Sequence, residues 1–161
     1  MHDHKNISIY YDSSNKLIGV PCGRKKDLQF GDYGTTSLDI YFELEAGYDD
    51  SEFEIFLGRV FDACFTKIPT SEDATAIQKY TGKKGYVAAT KGFQHMFISW
   101  SKDEGYTFVP MKVDPKHKGA FMGIKGISIK VTPYSNYIPL EKGTLALAFK
   151  KAKEVIDETL P

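Results

Sequence analysis

Two constellations of charged residues carry whatever chemistry this sequence offers. The first is acidic: Glu43, Glu45, Asp49, Asp50, Glu52 and Glu54, with Tyr41 and Tyr48 interleaved. Carboxylates this close in sequence can divide acid and base roles, but only where a dry setting raises one pKa above the other. Glu43/Glu45, Asp49/Asp50 and Glu52/Glu54 have no such apolar context, and acids at a helix start are accounted for by the helix dipole. What remains is recognition: a negative surface that pairs with the basic groove of a nucleic-acid enzyme. The second constellation is basic: Lys112, Lys116, His117, Lys118, Lys125 and Lys130 around a glycine-containing loop, with Phe108 and Phe121 nearby. Lysines among aromatics suit a phosphate backbone with stacked bases. A solvated rim is the simpler account of either set.

Other chemistries lack their residues. Gly82-Lys83-Lys84 resembles the end of a phosphate loop, but Ile77 stands where that loop needs glycine, and Lys84 where it needs Ser or Thr. No nucleophile-elbow sequence surrounds any Ser, Thr or Cys. His2, His4, His95 and His117 have no partners at metal-ligand spacing. We therefore expect no catalytic residue, metal or cofactor, and a protein that is not an enzyme. Two cysteines, Cys22 and Cys64, are too few for a disulfide framework and imply free thiols and a cytoplasmic setting. No apolar run reaches the ~18 residues of a membrane span.

The elements that must position these residues are legible from periodicity. Between Ser51 and Phe65, residues Phe53, Phe56, Leu57, Val60, Phe61, Cys64 and Phe65 form one helical face, with Ser51 and Glu54 at capping-box spacing. The runs Asn6–Tyr11 and Lys16–Val20, joined by Asp12-Ser13-Ser14-Asn15, predict a hairpin that Pro21-Cys22-Gly23 ends. Asp27–Phe30 is a brief strand candidate before a turn at residues 31–34. Thr36–Glu45 alternates as one strand with Leu38, Ile40, Phe42 and Leu44 inward. A short polar helix begins at Thr70 or Ser71 and stops at Gly82. Tyr86–Thr90 and Phe93–Ser101 read as a second hairpin, Tyr106–Val113 as an edge or kinked strand because of Pro110, residues 114–126 as a loop and Ile127–Thr132 as a strand. Lys142–Thr159 closes the chain as a helix with Leu145, Ala148, Phe149, Ala152, Val155 and Ile156 on one face.

The order is four strands and a helix, twice. At 161 residues this fits a single α+β domain whose pseudo-repeat halves span roughly 1–68 and 69–161, each antiparallel four-stranded unit covered by helix stripes. Gly58–Ala63 weakly echoes Gly143–Ala148. The net charge is zero, but residues 1–80 carry 8 basic and 14 acidic side chains against 13 and 7 in residues 81–161, which suggests faces with different partners.

The helix core Leu57-Gly58-Arg59-Val60, the stretch from Gly85-Tyr86 to Trp100, the strand Ile127-Ser128-Ile129-Lys130-Val131-Thr132-Pro133 and the closing Gly143–Ile156 helix, in this doubled order, resemble the immunity proteins of bacterial contact-dependent growth inhibition, in the branch with a Whirly-like fold. The resemblance implies a cytoplasmic antidote that binds the C-terminal toxin domain of a CdiA-type effector, often a nuclease, and occludes its active site. The toxin-facing residues expected are Tyr41, Glu43, Glu45, Tyr48, Asp49, Asp50, Glu52 and Glu54. The other expectation is a single-stranded nucleic-acid-binding module of Whirly-like fold, using Lys112, Lys116, Lys118, Lys125 and Lys130.

Overall fold

The computed structural model describes residues 3–26, 33–67, 75–117, 120–124, 127–132 and 140–159. The brief strand expected at Asp27–Phe30, the helix start at Thr70 or Ser71, and Lys118 and Lys125 lie outside them. The fold is α+β, a curled antiparallel sheet with helices on both faces. In chain order its elements are β1 (His4–Tyr11), β2 (Leu17–Lys26), β3 (Tyr33–Ser37), β4 (Phe42–Leu44), α1 (Asp50–Asp62), α2 (Ala76–Thr81), α3 (Tyr86–Thr90), β5 (Gln94–Ser101), β6 (Gly105–Val113), β7 (Phe121–Gly123), β8 (Ile129–Val131) and α4 (Thr144–Thr159).

The expected hairpin forms. Asp12 Oδ1 accepts the Ser14 N–H, the Asn15 N–H donates to Asp12 O, and Asn15 takes the left-handed conformation that asparagine tolerates. β1 and β5 then pair at the centre, Ile7 opposite Ile98, and join both strand sets into one sheet. The two sets repeat the same wiring. β2 pairs with β4 through Leu17–Gly19 and with β3 from Cys22 onward, and β6 pairs with β8 through Tyr106–Phe108 and with β7 from Met111 onward. Pro21 and Pro110 occupy equivalent places. Each is the last residue paired with the preceding strand, opposite Ile7 and Met96, and each carbonyl accepts an N–H from beyond the next turn, Leu38 or Ile124.

These changeovers correct two expectations. β2 does not end at Pro21-Cys22-Gly23; it continues to Lys26, and what changes there is its partner. β6 is not an edge strand, and Pro110, which has no N–H to give, stands between the β8 and β7 registers. Thr36–Glu45 is likewise two strands, β3 and β4, with buried Leu38 in the joint. The segment 114–126 contains β7. Tyr86–Thr90 is a helix, not a strand: Ala88 and Ala89 favour it, the Thr90 hydroxyl bonds back to Tyr86 O, and the buried residues Ala89 and Thr90 are adjacent, which no alternating strand provides. The Gly58/Gly143 echo does not mark equivalent positions, since α1 starts at Asp50 and α4 at Thr144.

The helix stripes do what their period demands. Phe53, Phe56, Leu57, Val60 and Phe61 of α1 and Ala148, Phe149, Ala152 and Ile156 of α4 close a core over Ile7, Ile9, Tyr11, Leu17, Met96, Ile98 and Phe108. α1 lies so close to β2 that a Cβ on Gly19 would stand 2.6 Å from Val60 Cγ2. On the opposite face Tyr10, Ile18 and Val20 pack under Ala76 and Ile77 of α2 and Ala89 of α3. β1 and β2 are therefore buried on both sides.

Candidate functional site: the groove between α1 and α4

The N-terminal halves of α1 and α4 run side by side, and the acidic residues sort themselves around that contact. The capping box at α1 is Asp49 with Glu52, not Ser51 with Glu54: Asp49 Oδ1 accepts the Glu52 N–H at 2.7 Å, and the Asp49 N–H donates to Glu52 Oε1 at 3.2 Å. Glu54 is drawn elsewhere. Its carboxylate accepts the backbone N–H groups of Gly143 (2.8 Å), Leu145 (3.0 Å) and Ala146 (3.3 Å). α4 begins just after Gly143, which has no side chain to cap it, so a carboxylate from α1 satisfies its orphan donors and faces the positive end of its dipole. Asp50 pairs with Lys150 at 2.7 Å.

Glu43 and Glu45 lie apart from these. Lys16 stands between them, 2.8 Å from Glu43 and 3.1 Å from Glu45, and those two hydrogen bonds raise the lysine's pKa. The same ammonium lies 5.4 Å over the Tyr80 ring, on whose face Tyr41 makes an edge contact at 5.5 Å. Glu43 is opposite Ile18, hence on the sheet face covered by α2. The eight residues of the expected acidic surface thus fall into two groups, and most of their charge is already met by protein partners. The reason is the fold itself, because alternate residues of β4 point to opposite faces.

One concavity is left where Tyr48 and Asp50 meet α4, a cavity of about 270 Å³ that includes Asn15, Phe53, Phe149, Lys150 and Lys153 in its lining. Phe53 and Phe149 stack at 4.5 Å to make its floor, and Tyr48 stands 6.2 Å from Phe53. Burial raises the Tyr48 phenol's pKa, keeping it a protonated donor. Lys153 donates to Asn15 Oδ1 at 2.6 Å and lies 5.2 Å over the Tyr11 ring. An aromatic floor rimmed by one carboxylate and two ammoniums can seat an apolar side chain and pair with charge beside it. Lys150, Lys153 and Asn15 were not anticipated as site residues. The available signal was the three-residue spacing of the lysines, which places both on one side of α4.

The basic region is less assembled. Lys112 is exposed opposite Met122, Lys130 is exposed opposite Thr107, and the Lys116 N–H donates to Asp114, which also holds His117 at 2.8 Å. Those bonds, the Lys116 N–H first, lower the Asp114 pKa. The aromatics expected to stack on bases are otherwise engaged: Phe108 is fully buried in the main core, and Phe121 packs edge-on against Tyr10 and His95.

No protein-family model and no curated protein matches the chain. Among solved structures it is similar to a Neisseria meningitidis protein of unknown function, NMB0488, with a TM-score of 0.62 and 14% identity over 94% of each chain. It is also similar to a chain of the CdiA-CT/CdiI toxin and immunity complex from Yersinia pseudotuberculosis, with a TM-score of 0.56 and 13% identity over 93% of this chain and 98% of that one. At these identities the likeness is one of fold. No described helix is long and apolar enough to cross a membrane.

Proposed function

We propose that this chain is an immunity protein: it binds the C-terminal toxin domain of a CdiA-type effector, with a nuclease as the expected class, and neutralises it in the cytoplasm by covering the active site, with no catalysis of its own. The observation that carries this reading is the near end-to-end likeness in fold to a chain of a toxin and immunity complex. The α1–α4 groove is the proposed contact centre. Tyr48 and Asp50 contribute there directly, while Tyr41, Glu43 and Glu45 form an adjoining rim. Asp49, Glu52 and Glu54 hold the surface in shape as caps and do not themselves meet the toxin.

The test is to express the toxin domain encoded beside this gene in a sensitive cell, with and without this protein. Rescue of growth, and co-purification of the two chains, is the expected result; continued killing despite soluble expression overturns the proposal. Within it, Glu45→Lys, at a well-exposed side chain, should slow association roughly threefold at low salt with little effect at high salt. An association rate unchanged at low salt removes that rim from the interface.

A further inference from the structure

The two cysteines come from distant parts of the chain and meet at the point where β2 releases β1. Ile7 opposite Pro21 is the last β1–β2 pair. The next N–H in β1, that of Asn6, donates to Cys22 Sγ at 3.3 Å. The Cys22 carbonyl has turned away to accept the Phe65 N–H at 2.9 Å. That bond holds the end of α1 against β2, and Phe65 keeps a left-handed backbone (φ 63°), unfavourable for an aromatic residue, in making it. Cys64 is thereby pressed onto the same place: its thiol donates to Asn6 O at 3.4 Å and to Val60 O at 3.8 Å, so both sulfurs sit on the backbone of Asn6. A cavity of about 150 Å³, whose lining includes Asn6, Ser8, Cys22, Thr36, Ser37 and Phe97, opens beside Cys22.

We propose that Cys22 and Cys64 are a peroxide-reactive dithiol that closes to a disulfide between β2 and the end of α1. Cys22 is the attacking sulfur. Its pKa is lowered, by the neighbouring Cys64 thiol first and by the Asn6 N–H, with burial acting against both, which favours the thiolate on this sulfur. Cys64, which donates to Asn6 O and Val60 O, has its pKa raised by the neighbouring Cys22 first and by burial, and stays a thiol until needed. The Cys22 thiolate attacks one oxygen of hydrogen peroxide, the O–O bond breaks, and hydroxide leaves to be protonated to water, giving a sulfenic acid. Cys64 then loses its proton and attacks the Cys22 sulfur; the S–O bond breaks and a second hydroxide leaves, taking up that proton. Two thiols and one peroxide give one disulfide and two waters, the two electrons passing from sulfur to peroxide. A cavity of this size admits peroxide and excludes bulky disulfides such as oxidised glutathione.

The experiment treats the folded, reduced protein with hydrogen peroxide, quenches, denatures, alkylates free thiols and maps the peptides by mass. The expected result is a Cys22–Cys64 linked peptide, both thiols protected from alkylation, and full reversal by dithiothreitol. Cys64→Ser should stop at the first step, with a sulfenic acid trapped by dimedone on Cys22. Full alkylation of both cysteines after treatment, or disulfides only between molecules, overturns the proposal; because the wild-type map decides this, it does not depend on the variant folding.

Discussion

His95 is buried on the sheet face beneath α2 and α3, stacked on Tyr10 at 4.6 Å with an interplanar angle of 11° and met edge-on by Phe121 at 4.9 Å. Neither ring nitrogen has a hydrogen-bond partner, and burial alone lowers its pKa from 6.5 to about 4. The groups packed on it, Tyr10 with its hydroxyl partner Tyr86 and Phe121, supply no negative charge: burial raises the pKa of both phenols. The folded state therefore holds His95 neutral to a lower pH than the unfolded chain does. Its contribution to stability is complete above about pH 6.5, declines as pH falls, because the unfolded chain takes up a proton the folded one refuses, and stops declining below about pH 4. The interval corresponds to roughly 3 kcal/mol, a large share of the ~5–15 kcal/mol that holds a domain together. His95→Phe keeps the ring contacts and removes both unpaired nitrogens, so it should gain about 1 kcal/mol at pH 7.5 and flatten the loss between pH 6.5 and 4.5. Urea unfolding followed through Trp100, the one tryptophan, measures this at several pH values. Any overpacking by the larger ring shifts the whole curve and leaves its slope intact, so the slope decides. Parallel stability curves for the two proteins would refute the reasoning.

Three further outcomes follow from the packing and the caps. Glu54→Ala should lower stability by about 2 kcal/mol, because it leaves three N–H groups at the start of α4 without their acceptor; hydrogen exchange at Leu145 and Ala146 should rise with it, and unchanged protection there would exclude the cross-helix cap. Gly19→Ala should cost roughly 1–3 kcal/mol in urea unfolding, since the new methyl meets Val60 and Phe56 inside 3 Å. Asp39, whose pKa falls to about 2 through hydrogen bonds from Lys67 and then Lys79, contributes above about pH 3.8 and loses its contribution as pH falls toward 2; Asp39→Asn should cost about 1 kcal/mol at pH 7, as expected for ion pairs whose lysines are open to solvent, and should leave the window between pH 6.5 and 4.5 unaltered.

How much of this could be read from the chain depends on how far each residue's partner lies. Both long helices follow from a 3.6-residue period, which survives any tertiary context because the stripe itself creates the core. The β1–β2 hairpin follows from Asp12 and Asn15, whose bonds are local. The capping box at α1 was ambiguous because Asp49/Glu52 and Ser51/Glu54 both have the required spacing; what separates them is α4, some ninety residues away, which claims Glu54. The acidic surface divides into two groups for the same reason. Proximity in sequence suggested one patch, but Lys16, Lys150 and the start of α4 each take a share, and the strand pleat sends Glu43 to the other face of the sheet. The sequence of Tyr86–Thr90 suggests a strand because five residues are too few to separate the two periods; the helix closes its own local bonds, and the contact that anchors it, the Tyr86 hydroxyl on Tyr10 at 2.9 Å, is again long-range.

The doubled wiring explains why the candidate groove sits where it does. Two equivalent hairpins, each with a proline at the changeover, are joined through β1 and β5, and each half then sends a helix back across the sheet. The two helices converge over the central strands with their N-terminal halves adjacent, Phe53 on Phe149 and Asp50 on Lys150. Two helix N-termini brought together would repel each other's dipoles and leave both sets of first-turn N–H groups open. Acidic residues are the remedy, and Asp49, Asp50, Glu52 and Glu54 supply it. These four of the 14 acidic side chains of residues 1–80 are therefore accounted for by the architecture whatever the protein binds, and a partner would find its electrostatic handle in charges such as Glu45, the exposed side of the Asp50–Lys150 pair, and Lys153 beside Asn15.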